Sequence, residues 1–236
     1  MLAFRKPIDD FLGFVFPFAC RICRTRLENG NFICLQCEKL SSRLQAPFCS
    51  ACKQIISVGA GSPCPSCLKS TSMPVFALGV FDLYNRELIH RLKYYGDEPA
   101  GRFLGAELGK LVAGFDSTPA WNVIVPVPLH WTRKWSRGFN QSSILARALS
   151  KRTGLPIWPA LSRVKRTKDQ TRLTREERLA NVRGAFRVVR DVKEKKLLLL
   201  DDVTTTGATL EECRRVLVAA GAAQVSAAVV SMATDN

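Results

Sequence analysis

Hydrophobic positions in the C-terminal two-thirds of the chain follow two alternating rhythms. Residues 196–200, four leucines after Lys196, and 225–230, apolar but for Ser226, are short, nearly continuous apolar runs, the pattern of strands covered on both faces. Residues 75–82 and the β-branched stretch 123–127 read as two further strands. Between them, residues 85–95 place Leu88, Leu92 and Tyr95 on one helical face, and residues 101–112 and 139–152 are predicted helices. A last helix over 207–220 repeats Leu210, Cys213, Leu217 and Ala220 at helical spacing, which makes Cys213 a small buried hydrophobe. The alternation predicts an α/β domain with a mostly parallel sheet flanked by helices.

The N-terminal third is patterned by cysteine instead. Cys20/Cys23, Cys34/Cys37, Cys49/Cys52 and Cys64/Cys67 are four CxxC pairs, separated by gaps of ten, eleven and eleven residues. Two thiolates two residues apart can both turn onto one metal ion, and a tetrahedral Zn²⁺ takes two such pairs. Eight cysteines therefore fill two four-sulfur sites. Sequential pairing is the simplest arrangement, with interleaving left open. Four-thiolate sites have no open coordination position, so the ions are expected to be structural and to stabilise a segment with few apolar residues of its own. A disulfide scaffold fits neither the regular spacing nor the absence of a credible export signal. The domains expected are an apolar segment over 1–19, a double zinc ribbon over 20–70 and the α/β body over 75–236, with residues 70–74 as linker.

Composition narrows the function classes. The 236 residues are 47% hydrophobic, enough for a real core and against disorder. No apolar run reaches the ~18–20 residues of a membrane span, so no integral membrane segment is expected. Arg5 and Lys6 before the apolar stretch 11–18 and Cys20 imitate a secretory leader. Asp9, Asp10 and Pro17 interrupt the imitation, and the stretch is expected to pack on the body. The net charge of +15 makes polyanions the natural partners. It is concentrated: residues 161–195 carry +7, whereas residues 196–236 carry −2.

That acidic segment holds the most informative motif. Leu197-Leu198-Leu199-Leu200 runs into Asp201-Asp202-Val203-Thr204-Thr205-Thr206-Gly207-Ala208-Thr209. A buried strand ends in two carboxylates, and a hydroxyl- and glycine-rich turn then opens a helix. Ligands of open α/β sheets sit at the carboxyl ends of strands. Backbone N–H groups, threonine hydroxyls and a helix N-terminus make a phosphate cradle. The two carboxylates one step upstream can accept hydrogen bonds from vicinal sugar hydroxyls. A sugar phosphate is the implied ligand.

This motif resembles the phosphoribosyl-pyrophosphate (PRPP) loop of type I phosphoribosyltransferases. The wider order of motifs resembles the ComF family (ComFC, GntX-like): the four CxxC pairs, then Leu92-Lys93-Tyr94-Tyr95-Gly96-Asp97, Val125-Pro126-Val127-Pro128, Arg137-Gly138-Phe139-Asn140-Gln141, Gln170-Thr171-Arg172-Leu173, Arg178 to Phe186, and the loop. The resemblance implies a type I phosphoribosyltransferase-like domain after the double zinc ribbon. It assigns the ribose hydroxyls to Asp201 and Asp202, and the 5-phosphate to Thr204, Thr205, Thr206, Gly207, Ala208 and Thr209. It places Arg133, Lys134, Arg137 and Gly138 in a pyrophosphate loop. Residues 163–183 become a flexible lid whose Arg166, Lys168, Gln170 and Arg172 close over the pyrophosphate. Arg137, Arg166, Lys168 and Arg172 are then the cations for the leaving group and transition state.

Phosphoribosyl transfer breaks the bond between C1 and pyrophosphate, and Mg²⁺ held mainly by the ligand's oxygens would accompany PRPP. Some purine-using relatives carry a carboxylate where Thr205 stands, so threonine argues against that subclass, and no acceptor is visible. His130 adjoins the basic loop, and His90 reads as an ordinary helix-face residue. Trp121, Trp131 and Trp135 flank the loop, where they either stack single-stranded bases or, as we favour, pack the hood over the site. Three readings follow. One is a PRPP- and Mg²⁺-dependent transferase. The second is an accessory factor in DNA uptake, natural transformation or use of imported DNA, with single-stranded DNA and uptake-machinery proteins as partners. The third is a nucleic-acid-binding adaptor with an inactive phosphoribosyltransferase fold. The resemblance implies a cytoplasmic protein, with peripheral attachment to the inner membrane as a variant.

Overall fold

A computed structural model describes residues 19–27, 32–40, 44, 46–56, 64–68, 72–114, 121–129, 138–165 and 174–233. After a short helix α1 (Leu35–Lys39) and a two-residue strand β1 (Phe48–Cys49) come β2 (Pro74–Val80), α2 (Leu83–Tyr94), α3 (Glu98–Ala113), β3 (Val123–Pro126) and α4 (Gln141–Thr153). Then follow β4 (Leu161–Arg163), α5 (Arg175–Val182), β5 (Phe186–Val188), β6 (Lys196–Thr204), α6 (Ala208–Ala219) and β7 (Gln224–Met232). Five strands form one sheet in the order β1-β2-β7-β6-β3. Strands β2, β7, β6 and β3 are mutually parallel, and β1 pairs antiparallel on the edge. The carboxyl ends of four strands therefore share one rim.

The leucine run shows why the sheet is covered on both sides. Leu197 and Leu199 pack with Leu210, Cys213 and Leu217 of α6, whereas Leu198 and Leu200 pack with α2, α3 and α4. Side chains alternate across a strand, so a continuous apolar run needs a layer of helix on each face. Cys213 is fully buried, as its spacing implied, and burial pushes its thiol pKa well above the ordinary value.

One helix pair positions the site. Gly101, Gly105 and Gly109 lie every fourth residue along α3, where a Cβ would stand 2.6 Å from Ile144 Cγ2, 2.5 Å from the Leu145 carbonyl oxygen and 2.8 Å from Arg152 Cβ, respectively. Three missing side chains on one helix face thus let α4 lie directly on α3. Asn140 caps α4 by accepting from the Ser142 N–H at 3.2 Å, and its amide donates to the Val127 carbonyl at 3.1 Å. The start of α4 is held at the end of β3.

Several expectations need correction. Strand β6 does not stop at Leu200 but runs through both aspartates to Thr204, with Asp201 opposite Val229 and Thr204 opposite Met232. Main-chain pairing continues regardless of side-chain polarity. Tyr95 falls outside α2 and is 74% exposed, because Gly96 at φ +61° and Asp97 turn the chain into α3. Trp121 precedes β3 instead of flanking the loop that follows it, and is buried edge-on to Phe76 with ring centroids 5.5 Å apart. The described part of the expected linker, residues 72–74, is packed. Ser72 and Met73 are buried, and Pro74 pairs with Cys49 in the sheet. Arg163 lies in β4, which pairs antiparallel with β5, and the capped helix α5 occupies part of the expected lid. The apolar stretch 11–18 lies outside the described residues.

Candidate functional site

The cysteines converge in sequence order. Cys20, Cys23, Cys34 and Cys37 form one cluster, and Cys49, Cys52, Cys64 and Cys67 the other, with the sulfurs of each within 4.8 Å of one another. The Sγ···Sγ separation is 3.6 Å for Cys23/Cys34, 3.8 Å for Cys49/Cys67 and 3.9 Å for Cys52/Cys64. Four sulfurs ~2.3 Å from a central Zn²⁺ stand ~3.8 Å apart at tetrahedral angles, so both clusters fit a structural zinc ion.

The backbone is shaped for the same purpose. The residue after the second cysteine donates its N–H to the carbonyl of the first in all four pairs: Arg24 to Cys20 at 3.0 Å, Glu38 to Cys34 at 3.0 Å, Lys53 to Cys49 at 3.0 Å and Leu68 to Cys64 at 2.7 Å. Arg24, Lys53 and Leu68 all have left-handed φ, between 52° and 65°. Non-glycine residues pay ~1–2 kcal/mol for that conformation, so its threefold use identifies one repeated thiolate-presenting turn. The Cys34/Cys37 pair closes the same bond within a helical turn instead: Glu38 belongs to α1, which Cys34 caps by accepting from the Cys37 N–H.

Each cluster is fixed to the body. Phe32 stacks on Phe103 of α3 at 5.1 Å, and Arg21 lies 3.6 Å from Asp97. The second cluster reaches the threonine turn. Ser50 accepts from the Met73 N–H at 3.0 Å and donates to Glu211 of α6 at 2.8 Å. A Cβ on Gly207, whose φ is +80°, would lie 3.2 Å from the Ser50 carbonyl oxygen and 3.6 Å from Lys53 Nζ. Glycine at the turn thus permits both the left-handed bend and close approach of the cysteine-rich segment.

The rim of the sheet holds the acidic pair. Asp202 forms a salt bridge of 2.9 Å with Lys93 at the end of α2. Asp201 accepts from Ser142 Oγ at 3.0 Å and from the Asp202 N–H at 2.9 Å. Burial, then the charge of Asp202, pushes the Asp201 pKa up from 3.8 to about 7, against Lys93 and these hydrogen bonds. The turn over residues 205–207 leads into the N-terminus of α6, where the Ala208 N–H meets Thr206 Oγ1 at 3.4 Å. Both carboxylates line a cavity of about 400 Å³ together with Thr205, Thr209, Lys93 and Gln141. Arg163 and Arg178 supply cationic walls, and Phe81 and Tyr94 line the same cavity.

Of the expected phosphate residues, Thr204 and Ala208 are buried behind the turn, and Thr206 and Gly207 shape it. Gly138 lines an adjoining cavity of about 580 Å³ that shares Pro128, Leu129 and Arg163 with the first. Arg133, Lys134, Arg137, Arg166, Lys168, Gln170, Arg172, His130, Trp131 and Trp135 lie outside the described residues. His90 sits exposed on α2 with its ring 4.7 Å from that of Tyr94. Lys93, Gln141 and Ser142 were not singled out as site residues. Lys93 and Gln141 do belong to recognised motifs, but only the packing of α2 and α4 turns them inward.

Comparison with known proteins agrees with this architecture. Residues 136–234 match the phosphoribosyl transferase domain family. Competence protein F of Haemophilus influenzae is 31% identical over 212 residues, spanning 86% of this chain and 91% of that one. The chain belongs to the ComF family. A second ComF relative, the DNA utilization protein YhgH of Escherichia coli K12, is 31% identical over 217 residues, 89% of this chain and 94% of that one. Among solved structures, the Bacillus subtilis glutamine PRPP amidotransferase aligns with a TM-score of 0.38 and 21% identity, over 56% of this chain and 26% of that one. The ComF fold here is a type I phosphoribosyltransferase body with a mostly parallel sheet, preceded by two four-cysteine clusters. No helix among the described residues is long and apolar enough to cross a membrane.

Proposed function

We propose that this ComF protein binds PRPP, or a related ribose 5-phosphate, together with Mg²⁺, and serves the uptake or use of imported DNA. The observation that carries the ligand is one cavity holding both the acidic pair and the threonine turn. Its chemistry is complementary end to end. Asp201 and Asp202 accept from vicinal hydroxyls, while Thr205, Thr209 and the first N–H groups of α6 donate to the 5-phosphate. Arg163 and Arg178 face the diphosphate side, joined in this reading by Arg133, Lys134 and Arg137 and by the lid cations Arg166, Lys168 and Arg172. Mg²⁺ on the diphosphate oxygens would supply further neutralising charge.

Pentosyl transfer at this site would break the C1–O bond to pyrophosphate, with the arginines stabilising the leaving group. Phe81 and Tyr94 offer the acceptor an apolar flank. The role in DNA metabolism is drawn from the names of the Haemophilus and Escherichia relatives. PRPP with Mg²⁺ is expected to raise the Tm of the protein, and the double variant Asp201→Asn/Asp202→Asn to lose that rise. Absence of any shift in the parent protein would sink the reading.

The net charge of +15 favours a second activity on the same chain, binding of single-stranded DNA. That activity predicts affinity falling steeply with salt. Salt-independent or undetectable binding would remove it.

A further inference from the structure

Gln141, the first residue of α4, is 2% exposed, and its side-chain Nε2 has no hydrogen-bond partner among the described residues. It lines the same cavity as Asp201 and Asp202, and its neighbour Ser142 is bonded to Asp201. A buried amide donor left unpaired costs stability, so its retention beside a carboxylate points to an acceptor supplied by a ligand.

The chemistry of that acceptor follows from its neighbours. Asp201, once ionised, can only accept, and Gln141 Nε2 can only donate. A hydroxyl satisfies both at once, donating to the carboxylate and accepting from the amide; a phosphate oxygen would meet the amide but repel the carboxylate. Direction follows from the layers. The turn for the 5-phosphate leads into α6 on one face of the sheet, while α4 packs on the other. A pentose lying across the rim from that turn brings C1 and the neighbouring 2-hydroxyl toward α4.

Resting on the ribose-phosphate reading of this cavity, we propose that Gln141 is a specificity-determining residue. With Asp201 it brackets the sugar 2-hydroxyl, so that the site takes ribose 5-phosphates and rejects 2-deoxyribose 5-phosphate, the sugar phosphate of DNA. A site built to hydrogen-bond a hydroxyl discriminates strongly against the analogue lacking it, because its buried polar groups are then left unpaired.

Calorimetric titration tests this with three probes: PRPP with Mg²⁺, ribose 5-phosphate and 2-deoxyribose 5-phosphate. The parent protein is expected to bind ribose 5-phosphate at least ~100-fold more tightly than the deoxy sugar. Gln141→Met keeps the side-chain volume and removes the amide. It is expected to melt no lower than the parent when free, to weaken PRPP and ribose 5-phosphate by ~10-fold or more, and to leave deoxyribose 5-phosphate unchanged. Equal affinity of the parent for the two sugars, or unaltered PRPP affinity in Gln141→Met, would overturn the proposal while leaving the ribose-phosphate reading standing. No binding of PRPP to the parent would remove both. Should Gln141→Met fail to fold, the comparison of the two sugars on the parent protein decides alone.

Discussion

Asp201 is the residue whose chemistry is most exposed to test. Its pKa is raised from 3.8 to about 7, so the folded protein holds a proton there that the unfolded chain has released. The associated stability is fully present below about pH 4 and is lost as pH rises through about 7. Asp201→Asn, which cannot ionise, should therefore raise the Tm of the free protein at pH 8 and raise it much less at pH 4, as scanning calorimetry would record. Ligand affinity should run oppositely: the carboxylate, not the acid, accepts from sugar hydroxyls, so binding should tighten from pH 6 to pH 8. A flat profile would mean that Asp201 does not meet the ligand. The doublet itself was legible in the sequence, since two acids closing an apolar strand before a threonine-rich turn have little structural reason to exist. Its partners were not. Lys93 sits in α2, more than a hundred residues before Asp202, and nothing in the local pattern distinguishes it from a surface lysine until α2 packs beside β6.

At the scale of elements, the positions of Ser142 and Gln141 depend on how closely α4 lies on α3. Alanine normally gains ~1 kcal/mol over glycine inside a helix. At Gly105 that gain is outweighed, because the new Cβ would meet a backbone carbonyl oxygen at 2.5 Å, and backbone cannot rotate away. Gly105→Ala should destabilise by ~1–3 kcal/mol in denaturant titration and weaken ligand binding as α4 shifts. A stabilised variant would show that the helices are not in close contact. The apolar periodicity identified these helices because their buried faces repeat regularly: Leu88 and Leu92, then Leu104 and Leu108, then Ile144, Leu145 and Leu149. It failed where polarity and pairing diverge. Strand β6 passes through two carboxylates, and the three-residue strands β4 and β5 are too short to show a period.

Across the whole molecule, the two cysteine clusters attach to different parts of the body, and their loss should be felt differently. The first packs on α3 and its N-cap through Phe32 and Arg21. The second carries Ser50 and Lys53 directly against Gly207 and α6. Elemental analysis should find about two zinc ions per chain. Cys64→Ser should then lower ligand affinity as well as Tm, whereas Cys23→Ser should lower Tm with a smaller effect on affinity. Equal losses of affinity would deny the second cluster a part in shaping the turn. The eight cysteines and their spacing were visible from the start because metal ligation imposes a strict local grammar. That the second cluster is joined to the sheet through β1 depended on Cys49 pairing with Pro74, which is distant in sequence.

Whether the acidic pair and the threonine turn grip one pentose 5-phosphate is decided by a crystal structure grown with PRPP and Mg²⁺. The 5-phosphate should lie on the N–H groups that open α6, within hydrogen-bond distance of Thr205 and Thr209, with the vicinal hydroxyls on Asp201 and Asp202. A saturating ligand bound elsewhere, or a cavity closed by its own side chains, would contradict that grip.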